Sequence, residues 1–253
     1  MRKDEYKKKI SALFDAWKQK APSSDGYINH PARVFISDGI VADDPDEWYR
    51  QDCRPLFLLK EAYGGDQDWD LTWYVRSVAD GKNKNRTWRN VAMWTYGLLN
   101  THADHALPGL PEYHRETDAL PPNAANATFN GQLLKKIAVV NIKKSDGEMS
   151  SSDDDLLRYA EYDAKELWQE IELINPTVIV SANTKSVQDM IAEKNGFPKI
   201  QRNLQDWTSH LKINGHDTIL IEYWHPANHF PNMMNFYTLT AVYQHALQMG
   251  NNR

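Results

Sequence analysis

The sequence has a single cysteine, Cys53, in 253 residues. One thiol cannot form an internal disulfide, a four-cysteine zinc site or an iron–sulfur cluster. There is no stretch near the roughly 20 apolar residues of a membrane span. The segment Met1-Arg2-Lys3-Asp4-Glu5-Tyr6 and the residues after it carry no apolar run of the signal-peptide kind. The expectation is a cytoplasmic protein with no membrane partner. Internal repeats, low-complexity tracts and Gly/Ser linkers are also missing, so a single domain over residues 1–253 is expected. There is no excess of positive charge. Twenty-nine Lys and Arg face 34 Asp and Glu, a net of 29 − 34 = −5. That balance does not advertise nucleic-acid binding, although a local basic patch can exist on an acidic chain.

What is present is ordinary globular composition, 41% hydrophobic and 25% charged, with nine Trp and twelve Tyr. Tyr6, Ile10, Leu13, Phe14 and Trp17 recur at helical spacing and predict an amphipathic helix over 4–19. Four compact apolar runs read as buried strands: Leu56 to Leu59, Ile137 to Val140, Thr177 to Val180 and Thr218 to Tyr223. Helical patterns lie between them, including one from Ser152, a good N-cap, to Ile174. Strands alternating with helices predict a three-layer α/β/α sandwich around a central, mainly parallel four-stranded sheet. A helical, aromatic-rich insertion is expected over about 66–130, its later part a long connection rich in proline.

Each predicted strand ends in polar residues: Lys60 and Glu61, Asn141 and Lys143, Ser181 and Asn183, His225 and Asn228. Ligands of parallel sheets bind outside the carboxyl ends of strands. Glu61 is a candidate general base or water-orienting group. Asn141 offers an acceptor and two donors in one plane, fit to read the edge of a heterocycle, or else to fix a βα turn. His225 precedes Pro226, which restricts the backbone, so its imidazole can stabilise developing negative charge. Trp69, Trp73, Tyr74 and Trp88 can stack on bases, or simply pack in the core. Lys82, Lys84, Arg86 and Arg89 can meet phosphates, or form a solvated face. Lys143 and Lys144 are further candidates for the nucleic-acid backbone. His229 follows His225 by four residues, which leaves a metal-dependent hydrolase as one alternative. Pro226 argues against a helix carrying both histidines on one face, and no metal or other cofactor is expected.

In this order, Leu59-Lys60-Glu61-Ala62-Tyr63-Gly64, Val139-Val140-Asn141 and His225-Pro226-Ala227 resemble the uracil-DNA glycosylase superfamily, in a divergent bacterial branch. The resemblance covers about residues 55–247. Against the family motif GQDPYH, Glu61 takes the place of the water-activating Asp. Tyr63 takes that of the Tyr screening the pyrimidine 5-position. Against GEAPG, Glu61 and Ala62 match directly. Asn141 matches the uracil-reading Asn, and His225 the histidine of HPS. Ala227 stands where that motif has Ser, and Lys60 where the first has Gly or Gln. The resemblance implies a uracil-DNA glycosylase-like fold and hydrolysis of the N-glycosidic bond of a damaged or modified base. It assigns Glu61 and His225 to catalysis. Lys60, Ala62, Tyr63, Asn141, Ser181 and Asn228 would surround the base. The partner would be nucleic acid, DNA rather than RNA, or a nucleoside or nucleotide. The alternative on the same fold is a binding module without turnover.

Overall fold

The structure, a computed structural model, describes residues 1–81, 85–110, 131–147, 151–196 and 207–251. In chain order its strands are β1 (Ile36–Ser37), β2 (Gly39–Ile40), β3 (Pro55–Tyr63), β4 (Trp69–Asp70), β5 (Ala138–Gly147), β6 (Val178–Ala182), β7 (Thr208–Ile213) and β8 (His216–Tyr223). The α-helices are α1 (Lys3–Lys18), α2 (Pro45–Tyr49), α3 (Leu71–Ala79), α4 (Arg86–Asn100), α5 (Asp153–Ile174), α6 (Lys185–Lys194) and α7 (Asn232–Asn251).

The main sheet has the order β2-β5-β3-β6-β8-β7. Its four inner strands are parallel and correspond to the four apolar runs. The sheet has six strands rather than four, because β2 and β7 add antiparallel edges. β7 and β8 form a hairpin through Asn214 and Gly215, both at positive φ. An Asn-Gly pair suits the type I′ turn that joins such strands. Short β1 and β4 pair beside the main sheet.

β3 shows why the layers form. Successive side chains of a strand point to opposite faces. Leu56 and Leu58 enter a core with Tyr6 and Trp17 of α1, Trp48 of α2 and Leu167 and Ile171 of α5. Phe57 and Leu59 enter a second core with Val75 of α3, Trp94 of α4 and Phe236 and Leu239 of α7. Each such side chain stabilises the fold by about 1.5–3 kcal/mol when fully buried. Helices thus cover both faces of the sheet. α5 starts where Ser152 accepts from the Asp155 N–H, and Asn175 ends it in the left-handed region.

Two boundaries depart from expectation. β3 and β5 continue past their apolar runs, β3 through Tyr63 and β5 through Gly147. The charged residues that look like strand ends are paired inside the sheet layers. Asn141 is therefore inside β5, opposite Leu59. The aromatic region after Gly65 contains α3, whose N-cap Asp70 accepts from the Thr72 N–H. Most of the proline-rich connection, 111–130, lies outside the described residues.

Candidate functional site

The strand order reverses at β3: β5 lies on one side and β6 on the other. Such a switch opens a crevice at the carboxyl ends of the strands. A cleft of about 590 Å³ lies there. Glu61, Ala62 and Tyr63 of β3, Asn141 of β5 and His225 beyond β8 all line it. Trp69, Tyr74 and Trp88 line it too. Those three rings meet edge to face, with centroids 6.4 Å apart in each successive pair. The result is a cleft with an aromatic wall and several polar side chains, among them Glu61, Asn141 and His225.

Glu61 is nearly buried, and its Oε2 lies 3.3 Å from Lys143 Nζ. Lys143 also donates to Asp155 Oδ2 at 2.8 Å. Burial works against the Lys143 charge, but Asp155 and Glu61 outweigh it and hold its pKa above the ordinary lysine value. The lysine stays cationic beside the two carboxylates.

Asn141 is 1% exposed. Its backbone N–H donates to Asp38 Oδ2 at 2.7 Å. Its side-chain Nδ2 is buried and, among the described residues, meets no acceptor. An unmatched buried donor costs about 1–3 kcal/mol. A ligand acceptor in the cleft would remove that cost.

His225 Nδ1 accepts from the Ala227 N–H at 3.2 Å. A nitrogen that accepts carries no proton, so the neutral ring has its proton on Nε2. Burial lowers the His225 pKa, and the nearby Lys60 charge lowers it further. The turn below the ring is firmly tied. Asn90 Nδ2 donates to Pro226 O at 2.7 Å, and Asn228 donates to His225 O through both its backbone N–H and its Nδ2. Asn235 Nδ2 in turn donates to Asn228 Oδ1 at 2.9 Å.

Other candidates sit differently. Ser181 is fully buried and bonds Thr184 Oγ1 at 2.7 Å, away from the cleft lining. It belongs to the inner part of β6 rather than to the site. Asn228 braces the His225 turn and is not among the residues that line the cleft. Lys60 bonds Asp153 at 2.9 Å and does not line the cleft. Tyr63 stands at the rim, 68% exposed. Trp73 is also largely exposed and is not part of the lining.

Lys144 cannot meet a phosphate. It and Lys143 take different carboxylates, and Lys144 is fully buried against Asp38 and Glu170. Lys143 is itself buried and committed to two carboxylates. Arg86 is exposed and contacts His229 Nδ1, and Arg89 lies one turn along α4. Lys82 and Lys84 lie outside the described residues.

Sequence reading missed Asp38 and Asn90. Each is a polar residue inside an apolar pattern, Asp38 between Ile36 and Ile40 and Asn90 between Trp88 and Val91. That conflict was the available signal.

Among the described residues no three His, Cys, Asp or Glu side chains gather as a metal site. His225 Nδ1 is occupied by a backbone donor, and His229 Nδ1 faces a cation. Nor, among the described residues, is any helix long and apolar enough to cross a membrane. No protein-family model matches the chain, and no curated protein matches it.

Proposed function

We propose that the protein is a glycosylase-like enzyme with a uracil-DNA glycosylase-like fold, hydrolysing the N-glycosidic bond of a damaged or modified base in nucleic acid. DNA is the substrate favoured over RNA. The observation that carries the reading is one cleft holding Glu61, Asn141 and His225, brought from three parallel strands, with the Asn141 Nδ2 donor unmatched among the described residues. A target base turned out of its strand would enter the cleft against the Trp69–Tyr74–Trp88 wall. Asn141 Nδ2 would donate to an acceptor on its edge. As the bond between sugar and base breaks, its electron pair leaves with the base. His225 Nε2–H stabilises that negative charge, and the Glu61 carboxylate stabilises the positive charge left on the sugar. Glu61 also orients the water whose oxygen bonds the sugar carbon, and the water proton leaves to the carboxylate or solvent.

The test is a panel of oligonucleotides, each with one modified base, assayed for base release and alkali-labile sites. Release of at least one base is expected, slowed strongly by Glu61→Gln.

One observation favours a second reading. Glu61 is already paired with Lys143, which weakens it as a base. A binding module without turnover would tolerate that pairing. It predicts retention of a modified oligonucleotide with no base released. Nothing in the arrangement of His225 and His229 supports a metal-dependent hydrolase.

A further inference from the structure

We infer that Gly147, together with Lys143, is a positioning residue that fixes the Glu61 carboxylate at the cleft; its catalytic consequence rests on the base-release reading above. The first observation is steric. A Cβ built on Gly147 would lie 2.5 Å from both Cγ and Cδ of Glu61 and 2.8 Å from Oε2. No side chain fits there while Glu61 keeps its place. Gly147 is not among the residues at positive φ, so the backbone does not demand glycine. The demand is for space alone.

The second observation is the register of the two strands. Glu61 pairs with Lys143 and Tyr63 pairs with Gly147. Two steps along β3 match four along β5, an irregularity of the bulge type. Bulges re-aim side chains and are frequent beside functional sites. Here the extra chain brings the bare Cα of Gly147 against the Glu61 side chain. The third observation is charge. Lys143 Nζ is 3.3 Å from Glu61 Oε2, and Asp155 holds the lysine from its other side at 2.8 Å. The carboxylate is thus gripped between a cation and a surface that only glycine provides. Lys143, a phosphate contact in the sequence reading, acts here on Glu61.

The direct test is Gly147→Ala. What the new methyl meets is a rotatable side chain beside an open cleft, so the fold can survive by moving Glu61 away from Lys143. Lys143 reports this without any substrate. Its side-chain resonances in lysine-labelled protein are assigned by their loss in Lys143→Met. Gly147→Ala is expected to move them in the same direction as Glu61→Gln, and the double variant to match Glu61→Gln alone. Lys143 resonances at their wild-type positions in Gly147→Ala would overturn the inference. On an oligonucleotide that the wild type cleaves, Gly147→Ala is expected to slow single-turnover base release about 10²-fold, at the low end of a general-base effect. KM should change little, and no loss should be added on a Glu61→Gln background. A further loss on that background would count against positioning. If the wild type releases no base at all, the functional reading fails, and the Lys143 resonances alone decide the clamp. If Gly147→Ala does not fold, Glu61→Ala in the same chain should restore a cooperative melt, and its failure to do so overturns the inference.

Discussion

Replacing Lys144 with methionine removes one charge from a site with no access to water. Lys144, Asp38 and Glu170 are all 0% exposed at their side chains. Lys144 Nζ contacts Asp38 Oδ1 and lies 2.7 Å from Glu170 Oε2. Burial, then the neighbouring Asp38, push the Glu170 carboxyl well above the usual carboxylate range, against the pull of Lys144. The site therefore favours a proton on Glu170 beside the Lys144 charge. Breaking a buried pair from one side costs about 3–5 kcal/mol. At about 2–4 °C per kcal/mol for a chain of this size, Lys144→Met should lower Tm by about 6–20 °C. Glu170→Gln replaces a protonated carboxyl with a neutral group of the same shape and should cost less than about 1 kcal/mol. The sign with pH follows from the raised pKa. The stability that Glu170 contributes is complete below its ordinary 4.5 and is lost as pH rises through the raised value. Glu170→Gln should remove that part of the pH dependence. Thermal melts of the three proteins from pH 4 to pH 8 measure all of this. A Lys144→Met Tm within about 2 °C of wild type, or a Glu170→Gln loss as large as that of Lys144→Met, would refute the account of the triad.

Glu61→Gln should slow single-turnover base release by about 10²–10⁴-fold and His225→Ala by about 10²–10³-fold. Both should leave the melt near wild type, and a near-wild-type rate for Glu61→Gln would favour the binding module. His225 should titrate below its ordinary 6.5 by NMR, and Lys60→Met should raise the midpoint by removing a neighbouring cation. The stability gained from keeping that ring neutral is present above 6.5 and lost as pH falls through the lowered value. An unchanged midpoint in Lys60→Met would remove the lysine from the site's electrostatics. Single-stranded DNA binding should weaken with salt. Arg86→Ala should reduce the log–log slope by about 0.7 per lost phosphate contact, while Lys144→Met, measured below its melting temperature, should leave the slope unchanged.

The four inner strands and most of the helices were legible because their signals are local. Leu56 to Leu59 and Thr177 to Val180 are apolar on both faces, which only a covered parallel strand requires. Ser152 and Asn175 mark the ends of α5 by their own backbone chemistry. The polar residues after the apolar runs of β3 and β8 drew attention to Glu61 and His225 for the same reason. The edge hairpin also had its local mark in Asn214-Gly215, which the reading passed over.

The sequence by itself determined which residues alternate between core and site, because hydrophobic period and turn chemistry act over a few neighbours. Partnership across the sheet was decided only by the tertiary structure. Lys143 and Lys144 are adjacent and chemically identical in sequence. One faces Glu61 and Asp155, the other Asp38 and Glu170. Residues from as far away in sequence as Asp38 and Glu170 convert apparent surface cations into buried ones. Ser181 lost its place at the cleft in the same way, to Thr184 and the depth of β6. Asn141 kept its place among the cleft-lining residues: β5 runs on past it and Asp38 accepts from its backbone N–H.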